Sequence, residues 1–169
     1  MKRFIFLLGL GVLGALLVRS FCFEGIFIAS DSMAPTLPKG THIMANKLTY
    51  LFRKPERGEI IMFETPQKPD RGLVKRVIGI GGDVVAIQNK RVYINDVLLE
   101  EPYVQYLRPK ELLKGDHMNP LLIPNEHVFV LVDNRGFSED SRDYMTPEGV
   151  WSPYVSLSSI KGKIHVSLR

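Results

Sequence analysis

The chain of 169 residues has a single cysteine, Cys22, so no disulfide bond can form within it. Its four histidines are scattered, and none has the spacing of a zinc ligand pair. The 22 basic and 18 acidic residues give a net charge of only +4, without any block of like charges. We therefore expect no metal site, no cofactor and no nucleic acid partner.

Long apolar runs are also scarce, and the mean hydropathy of +0.01 excludes a protein with many membrane-spanning helices. The one long run, residues 4–18, follows Lys2 and Arg3 at the N-terminus. Extended past Arg19 to Phe23, a helix would span about 30 Å, the thickness of a hydrocarbon core. We expect residues 1–23 to form an uncleaved membrane anchor with its N-terminus in the cytoplasm. A cleavable signal peptide is the alternative.

The rest of the chain, residues 24–169, predicts one antiparallel β domain, because its segments are rich in valine, isoleucine, phenylalanine and tyrosine. Residues 88–91 and 94–97 predict tight hairpin turns, since asparagine and aspartate tolerate left-handed backbone. Residues 100–126 are polar and interrupted by prolines, which indicates a surface excursion. The predicted strands cover residues 41–47, 58–63, 73–80, 83–88, 91–94, 127–132 and 159–168.

Three segments carry groups capable of chemistry. Residues 30–37 (SDSMAPTL) contain two serines, Lys75 lies in a mostly apolar predicted strand, and residues 133–142 (DNRGFSEDSR) follow a strand that is apolar on both faces. Each has a simpler structural interpretation: a turn, a solvent-facing lysine and a solvated loop. The last segment could instead be a rigid loop held by aspartate–arginine pairs.

In this order the segments resemble the motifs of bacterial type I signal peptidases, which are membrane-anchored serine endopeptidases with a Ser–Lys dyad. Further similarity lies in residues 19–24, 57–63, 76–83 and 160–163. The chain departs from the family pattern at four positions. Gly25, Ala29 and Gly81 stand where proline is usual, and Val132 stands where glycine is usual.

The resemblance implies a mainly β fold: an antiparallel β domain of signal-peptidase type on a single N-terminal transmembrane helix. It implies Ser32 as the nucleophile and Lys75 as the general base, with no histidine in any matching motif. Ser30 would contribute to the oxyanion hole, and Ser138 would orient the lysine amine. Lysine has an ordinary pKa of about 10.4, so we expect apolar burial to lower the pKa of Lys75 and yield the neutral amine that a base requires.

The resemblance also implies a substrate, a set of pocket residues and a location. Exported preproteins would bind as an added strand between residues 25–30 and 70–74 and be cleaved after small residues. Asp140 and Arg142 would pair to hold the loop. The enzyme would lie in the bacterial cytoplasmic membrane with its β domain on the outer side, and Phe23, Ile26 and Phe27 would rest on the bilayer. The implied pocket residues are Ile28, Met33, Leu37 and Val74.

Alternatives of two classes stay open at this stage. One is a dedicated peptidase of the same family that processes pilins or secretion-system components. The other is an inactive, membrane-anchored β scaffold that binds exported peptides. Val132 either packs in the core or changes the pH dependence or substrate range of the site.

Overall fold

The computed structural model describes residues 2–65, 68–107, 109–111, 115–136 and 139–166. It begins with α1, Lys2–Cys22. This helix is not amphipathic, because apolar residues occur on every side of it. Its described large apolar side chains from Phe4 to Leu13 are all more than half exposed. In the portions of the chain that the structure covers, no helix combines the length and the apolarity needed to cross a membrane.

The body of the molecule is built from strands, with one further short helix, α2, at Thr49–Phe52. Single turns of 3-10 helix occur at Asp31–Met33 and Leu157–Ser159. The strands are β1 (Phe23–Phe27), β2 (His42–Asn46), β3 (Ile60–Thr65), β4 (Lys68–Ile80), β5 (Val84–Gln88), β6 (Arg91–Ile94), β7 (Val97–Leu98), β8 (Met118–Leu122), β9 (His127–Leu131), β10 (Val155–Ser156) and β11 (Ile160–Ile164).

These strands form two sheets in which every neighbouring pair is antiparallel. The larger sheet has the order β1-β2-β11-β3-β4-β9-β10, and the smaller one has the order β7-β6-β5-β8. The mainly antiparallel β class predicted from the sequence is therefore confirmed.

Local sequence explains both predicted hairpins. Asn89 and Lys90 have φ angles of 50° and 72°, and Asn95 and Asp96 have φ angles of 50° and 66°. Two successive left-handed residues make the turn whose twist matches that of paired strands. The first turn joins β5 to β6 and the second joins β6 to β7.

The core explains the apolar character of β9 on both faces. Val128 and Val130 pack into one buried cluster with Phe63 and Val77. Phe129 and Leu131 point the other way and pack with the smaller sheet. A strand that is covered on both sides must carry apolar residues at successive positions.

The sequence patterns did not single out β1, β7, β8 and β10. Of these, β8 lies inside the segment 100–126 that was predicted as a surface excursion. It includes Pro120 and forms an edge of the smaller sheet, which is where a residue without an N–H can be accommodated.

A partly buried carboxylate, that of Glu59, joins α2, β3 and β11 close to one end of the large sheet. The side chain of Glu59 is only 10% exposed. It accepts hydrogen bonds from Arg53 and Lys163, both at 2.5 Å, from the hydroxyl of Tyr50 at 3.0 Å and from the backbone N–H of Glu56 at 3.0 Å. Burial alone would raise the pKa of Glu59, but these donors outweigh it and lower the pKa to about 2.

We predict that Glu59 makes folding stability depend on pH at the acid end. Its pKa falls from 4.5 to about 2 on folding, so its contribution is complete above about pH 4.5 and is lost as the pH falls toward 2. Glu59→Gln should lower the free energy of unfolding by about 1–2 kcal/mol at pH 7, because solvent screens part of the interaction of this partly buried group, and by much less at pH values near 2. Urea denaturation of both proteins across this range measures the difference.

Glu64→Gln is the matched control, because Glu64 forms an exposed ion pair with Lys161 at 3.0 Å. Its effect should stay below about 1 kcal/mol. A difference between wild type and Glu59→Gln that does not change with pH would contradict the assignment.

Candidate active site

Ser32 is presented by the 3-10 turn that follows β1. The neighbouring Met33 is 1% exposed and its carbonyl accepts the N–H of Leu37 at 2.7 Å, so the turn is fixed to the core. Ser32 itself is partly exposed, and its Oγ lies 3.1 Å from the Oγ of Ser30. The turn therefore displays two hydroxyls side by side on a rigid base.

Lys75 lies in the middle of β4 and is only 4% exposed. Leu73 and Val77, on the same side of the strand, are buried as well. Ser32 and Lys75 line one cleft of about 450 Å³. The sequence placed these two side chains 43 positions apart, and the fold brings them to the same concave site.

Most of the described residues that line this cleft are apolar. Three of the four predicted pocket residues, Ile28, Met33 and Val74, line the cleft. The fourth, Leu37, packs with these three in one buried cluster but does not line the cleft. The cleft runs between residues 26–33 and residues 72–75. β1 is an edge strand of the large sheet. The edge of β1 that does not pair with β2 is therefore available to an extended peptide.

The loop that follows β9 is held by its own ion pair. Arg142 donates to both carboxylate oxygens of the fully buried Asp140, at 2.9 and 2.8 Å. Asp140 also accepts the N–H of Val132 at 3.2 Å. Ser138, predicted to orient the lysine amine, lies outside the described residues, so its role stays a prediction.

A second buried ion pair, Arg76–Asp133, connects the segments that carry Ser32, Lys75 and residues 133–142. Asp133, 0% exposed, receives two hydrogen bonds from Arg76, at 2.8 and 2.6 Å, and one from Thr36, at 2.5 Å. Arg76 follows Lys75 on β4, and Thr36 belongs to the segment of residues 30–37 that carries Ser32. The ring of Tyr103 covers the guanidinium at 3.8 Å.

Asn134 fixes the turn of Ser32 directly. Its backbone N–H donates to the carbonyl of Ser32 at 3.0 Å, and its side chain amide donates to the carbonyl of Asp31 at 3.2 Å. Sequence reasoning missed specific roles for Asn134, Thr36, Arg76 and Tyr103. The many polar residues in segment 133–142 were the one feature of the sequence that pointed to such roles. The contacts of Thr36, Arg76 and Tyr103 join distant parts of the chain, so no short motif indicates them.

Within the described ranges, no three histidine, cysteine, aspartate or glutamate side chains are grouped to hold a metal ion. The cleft gathers a serine pair, the buried Lys75 and Glu139. The serine and the lysine fit the activation of a hydroxyl by an amine.

The signal peptidase, peptidase S26, family model matches residues 1–168. The chain belongs to this signal peptidase family. It is 31% identical over 166 residues to signal peptidase I P of Bacillus subtilis subsp. natto, covering 90% of this chain and 89% of that protein. It is 37% identical over 140 residues to thylakoidal processing peptidase 1 of Arabidopsis thaliana, covering 77% of this chain but 39% of that protein.

Two further comparisons agree with membership of the signal peptidase family. Signal peptidase I of Leptolyngbya laminosa is 38% identical over 141 residues, which cover 79% of this chain and 66% of that protein. The crystal structure of a signal peptidase I from Enterococcus faecalis matches with a TM-score of 0.50 and 28% identity, covering 67% of this chain and 98% of that one. The chain thus spans less than two thirds of some signal peptidases and most of others.

The structure explains two departures from the usual signal peptidase pattern. Val132 is fully buried and is absent from the described lining of the cleft, which supports a packing role. A Cβ on Gly81 would lie 3.1 Å from the Cα of Asn125 and 3.2 Å from the carbonyl oxygen of Pro124. A side chain at position 81 would therefore crowd the neighbouring backbone, so glycine suits this turn.

We predict that the Arg76–Asp133 pair is required for the geometry of the site. Arg76→Met leaves the buried carboxylate without its charged partner and should destabilise the protein by about 3–5 kcal/mol. Replacing both residues, Arg76→Met with Asp133→Leu, should recover much of that stability, because no buried charge is then unpaired. Thermal unfolding of the single and double variants measures both effects.

The control is Lys161→Met, which breaks the exposed pair with Glu64 and should cost under about 1 kcal/mol. If Arg76→Met is no more destabilising than this control, the buried pair does not hold the segments together.

Proposed function

We propose that this chain is a membrane-anchored serine endopeptidase that removes N-terminal signal peptides from exported preproteins. The observation that carries the proposal is the meeting of a partly exposed serine and a buried lysine, Ser32 and Lys75, in one cleft lined mostly by apolar residues. Membership of the signal peptidase family supports the same conclusion.

Catalysis begins when the neutral amine of Lys75 accepts the hydroxyl proton of Ser32. The Ser32 Oγ attacks the scissile carbonyl carbon, and the carbonyl oxygen takes up the negative charge. The ammonium of Lys75 then gives its proton to the departing amine as the peptide bond breaks. Water, deprotonated by the same lysine, hydrolyses the acyl-enzyme and regenerates the Ser32 hydroxyl.

Two groups near the nucleophile are suited to stabilise the oxyanion. The backbone N–H of Ser32 and the hydroxyl of Ser30, whose Oγ is 3.1 Å from the nucleophilic Oγ, would donate to the charged oxygen. The hydroxyl of Ser138 would orient the lysine amine. The Asp140–Arg142 pair supports the loop that carries this serine.

Substrate selection follows from the shape of the cleft. An extended peptide would add to the free edge of β1, and alternate side chains would then enter the apolar wall formed by Ile28, Met33 and Val74. We expect small residues, typically alanine, at P1 and P3, the first and third residues before the cleaved bond. Leu37 would support this wall from behind.

Anchoring to the bacterial cytoplasmic membrane, with the β domain on the outer side, accounts for the N-terminal region. The apolar run ends where the β domain begins, and the carbonyl of Cys22 accepts the N–H of Lys47 at 2.9 Å. Near this junction Phe23, Leu51 and Phe52 are 42%, 72% and 85% exposed. Such side chains would lower the free energy of contact with the lipid bilayer.

The dedicated processing of pilins or secretion-system components is a narrower version of the same activity, and the same cleft would serve both. An inactive peptide-binding scaffold would need neither a buried lysine nor a paired hydroxyl. Loss of activity on removal of either group separates an enzyme from a scaffold.

We predict that Ser32→Ala and Lys75→Ala each abolish cleavage of a purified preprotein in detergent or vesicles. Lys75→Arg should fail as well, because a guanidinium does not release its proton. Cleavage is followed by gel electrophoresis and the cleaved bond by mass spectrometry, with circular dichroism to establish that each variant is folded.

Ser158→Ala is the control, since Ser158 is an exposed serine in a 3-10 turn outside the cleft, and it should leave turnover within about twofold of wild type. Wild-type turnover in Lys75→Ala would contradict the dyad.

A further inference from the structure

Asn134 bonds to both peptide groups that flank the nucleophile. Its backbone N–H donates to the carbonyl of Ser32 at 3.0 Å, and its side-chain amide donates to the carbonyl of Asp31 at 3.2 Å. The first carbonyl belongs to the peptide group between Ser32 and Met33, and the second to the group between Asp31 and Ser32. Because each peptide group is planar, φ and ψ of Ser32 alone set the orientation of one group relative to the other. Two contacts from one residue therefore fix the backbone conformation of the nucleophile.

The side-chain contact acts on the peptide group that supplies an oxyanion donor. In the proposed mechanism the backbone N–H of Ser32 donates to the charged oxygen, and this N–H shares its peptide plane with the carbonyl of Asp31. The Asp31–Ser32 peptide bond is trans, so its N–H and its carbonyl point in opposite directions. Asn134 is 2% exposed and is not among the described residues that line the cleft, whereas Ser32 is. Holding the carbonyl toward the buried Asn134 therefore directs the N–H of Ser32 toward the cleft.

A hydrogen bond to a peptide carbonyl also makes the N–H of the same peptide group a stronger donor. Hydrogen bonds that run through one polarisable group reinforce each other, and more so where the local dielectric constant is low. The carbonyl of Asp31 accepts two such bonds, from the side chain of Asn134 and from the N–H of Ala34 at 3.1 Å. The peptide group is therefore polarised in the direction that stabilises negative charge beside the N–H of Ser32.

Asn134 is itself held in place through its neighbours along the chain. The carbonyl of Asp133 accepts the N–H of Gln105 at 2.9 Å, and the N–H of Arg135 donates to the carbonyl of Gln105 at 2.8 Å. The side chains of Asp133 and Arg135 are both buried and both ion-paired. Among the described residues, the Oδ1 of Asn134 has no hydrogen-bond partner, so the amide acts on the Asp31 carbonyl through its NH2 end.

We propose that Asn134 is a positioning residue for the oxyanion hole: its side-chain amide orients and polarises the peptide group whose N–H, that of Ser32, stabilises the charged oxygen. This inference rests on the proposed function. It assigns no contact between Asn134 and the substrate. Loss of the amide should therefore slow the chemical step without weakening substrate binding or changing the titration of the base.

The test removes the amide in two ways in the full-length enzyme. Asn134→Leu keeps the branched shape of the side chain without its donor, and Asn134→Ala removes the side chain beyond Cβ. Both variants keep the backbone N–H that donates to the carbonyl of Ser32. We expect kcat for a preprotein to fall by about 10- to 100-fold in each, which is less than the effect of losing an oxyanion donor altogether. KM should stay within about twofold of wild type, and the acid limb of kcat/KM should stay at its wild-type pH.

A pair of substrates isolates the effect on the oxyanion. A peptide ester and the matching thionoester differ only in the oxygen or sulfur atom that takes up the charge, and sulfur is a weak hydrogen-bond acceptor. We expect the wild-type enzyme to favour the ester, and we expect both Asn134 variants to reduce this ratio of kcat/KM by about tenfold or more. The ratio compares two substrates on one enzyme, so it does not depend on the fraction of a variant that is folded. Loosening of the loop alone would slow both substrates equally.

Asn46→Ala is the matched control. The side chain of Asn46 also bonds to the backbone, because it accepts the N–H groups of Leu48 and Thr49 at 2.9 and 3.3 Å. It lies on β2 and is not among the described residues that line the cleft. Asn46→Ala should lower Tm and keep the wild-type ratio of the two substrates.

Wild-type kcat in Asn134→Leu, or a wild-type ratio of ester to thionoester in both Asn134 variants, would overturn this proposal alone. An equal change of the ratio in Asn46→Ala would overturn it as well. If the wild-type enzyme cleaved no preprotein, the proposed function would be overturned together with it.

Discussion

The buried carboxylate of Asp133 is the interaction on which the arrangement of the site depends. It belongs to the loop after β9 and accepts hydrogen bonds from Arg76 on β4 and from Thr36 in the segment that carries Ser32. One side chain therefore ties together the segments that carry Ser32, Lys75 and the predicted orienting serine. A charge this deeply buried is tolerated because each of its oxygens is paired, and for the same reason it is costly to disturb.

This constraint solves a geometric problem for the proposed chemistry. A serine on an exposed turn is mobile unless the turn is fixed, and a lysine in a buried strand cannot move to meet it. The contacts of Asp133 and Asn134 hold the turn against the loop, and the pairing of β4 with β3 and β9 holds the lysine. Preorganisation of this kind removes an entropic cost from the chemical step.

The sequence predicted the parts of this protein that local patterns determine. Asparagine-rich turns identified two hairpins, and the alternation in β9 identified a strand buried on both faces. The proline-containing edge strand β8 was not recognised, because its stability comes from pairing with β5 rather than from its own composition. Likewise, the stacking of Tyr103 on Arg76 joins residues that no short motif could connect.

The same distinction applies to the site. Ser32 and Lys75 were found through motifs, and the structure brings them to one cleft. The contribution of Thr36 and the cleft position of Glu139 follow from the tertiary fold and were not predicted. Positions that depart from the family pattern, such as Val132, were likewise interpretable only once their burial was known.

The dependence of kcat/KM on pH tests the central claim, a neutral lysine acting as base, most directly. The profile of the free enzyme should show one group that must be deprotonated for activity. Activity should fall as the pH decreases through the neutral to mildly alkaline range. This limb should lie below the ordinary lysine range of about 10.4 and well above that of carboxylates. A single acid limb near pH 4, with constant activity from there to about pH 10, would contradict a lysine base and point to a carboxylate instead.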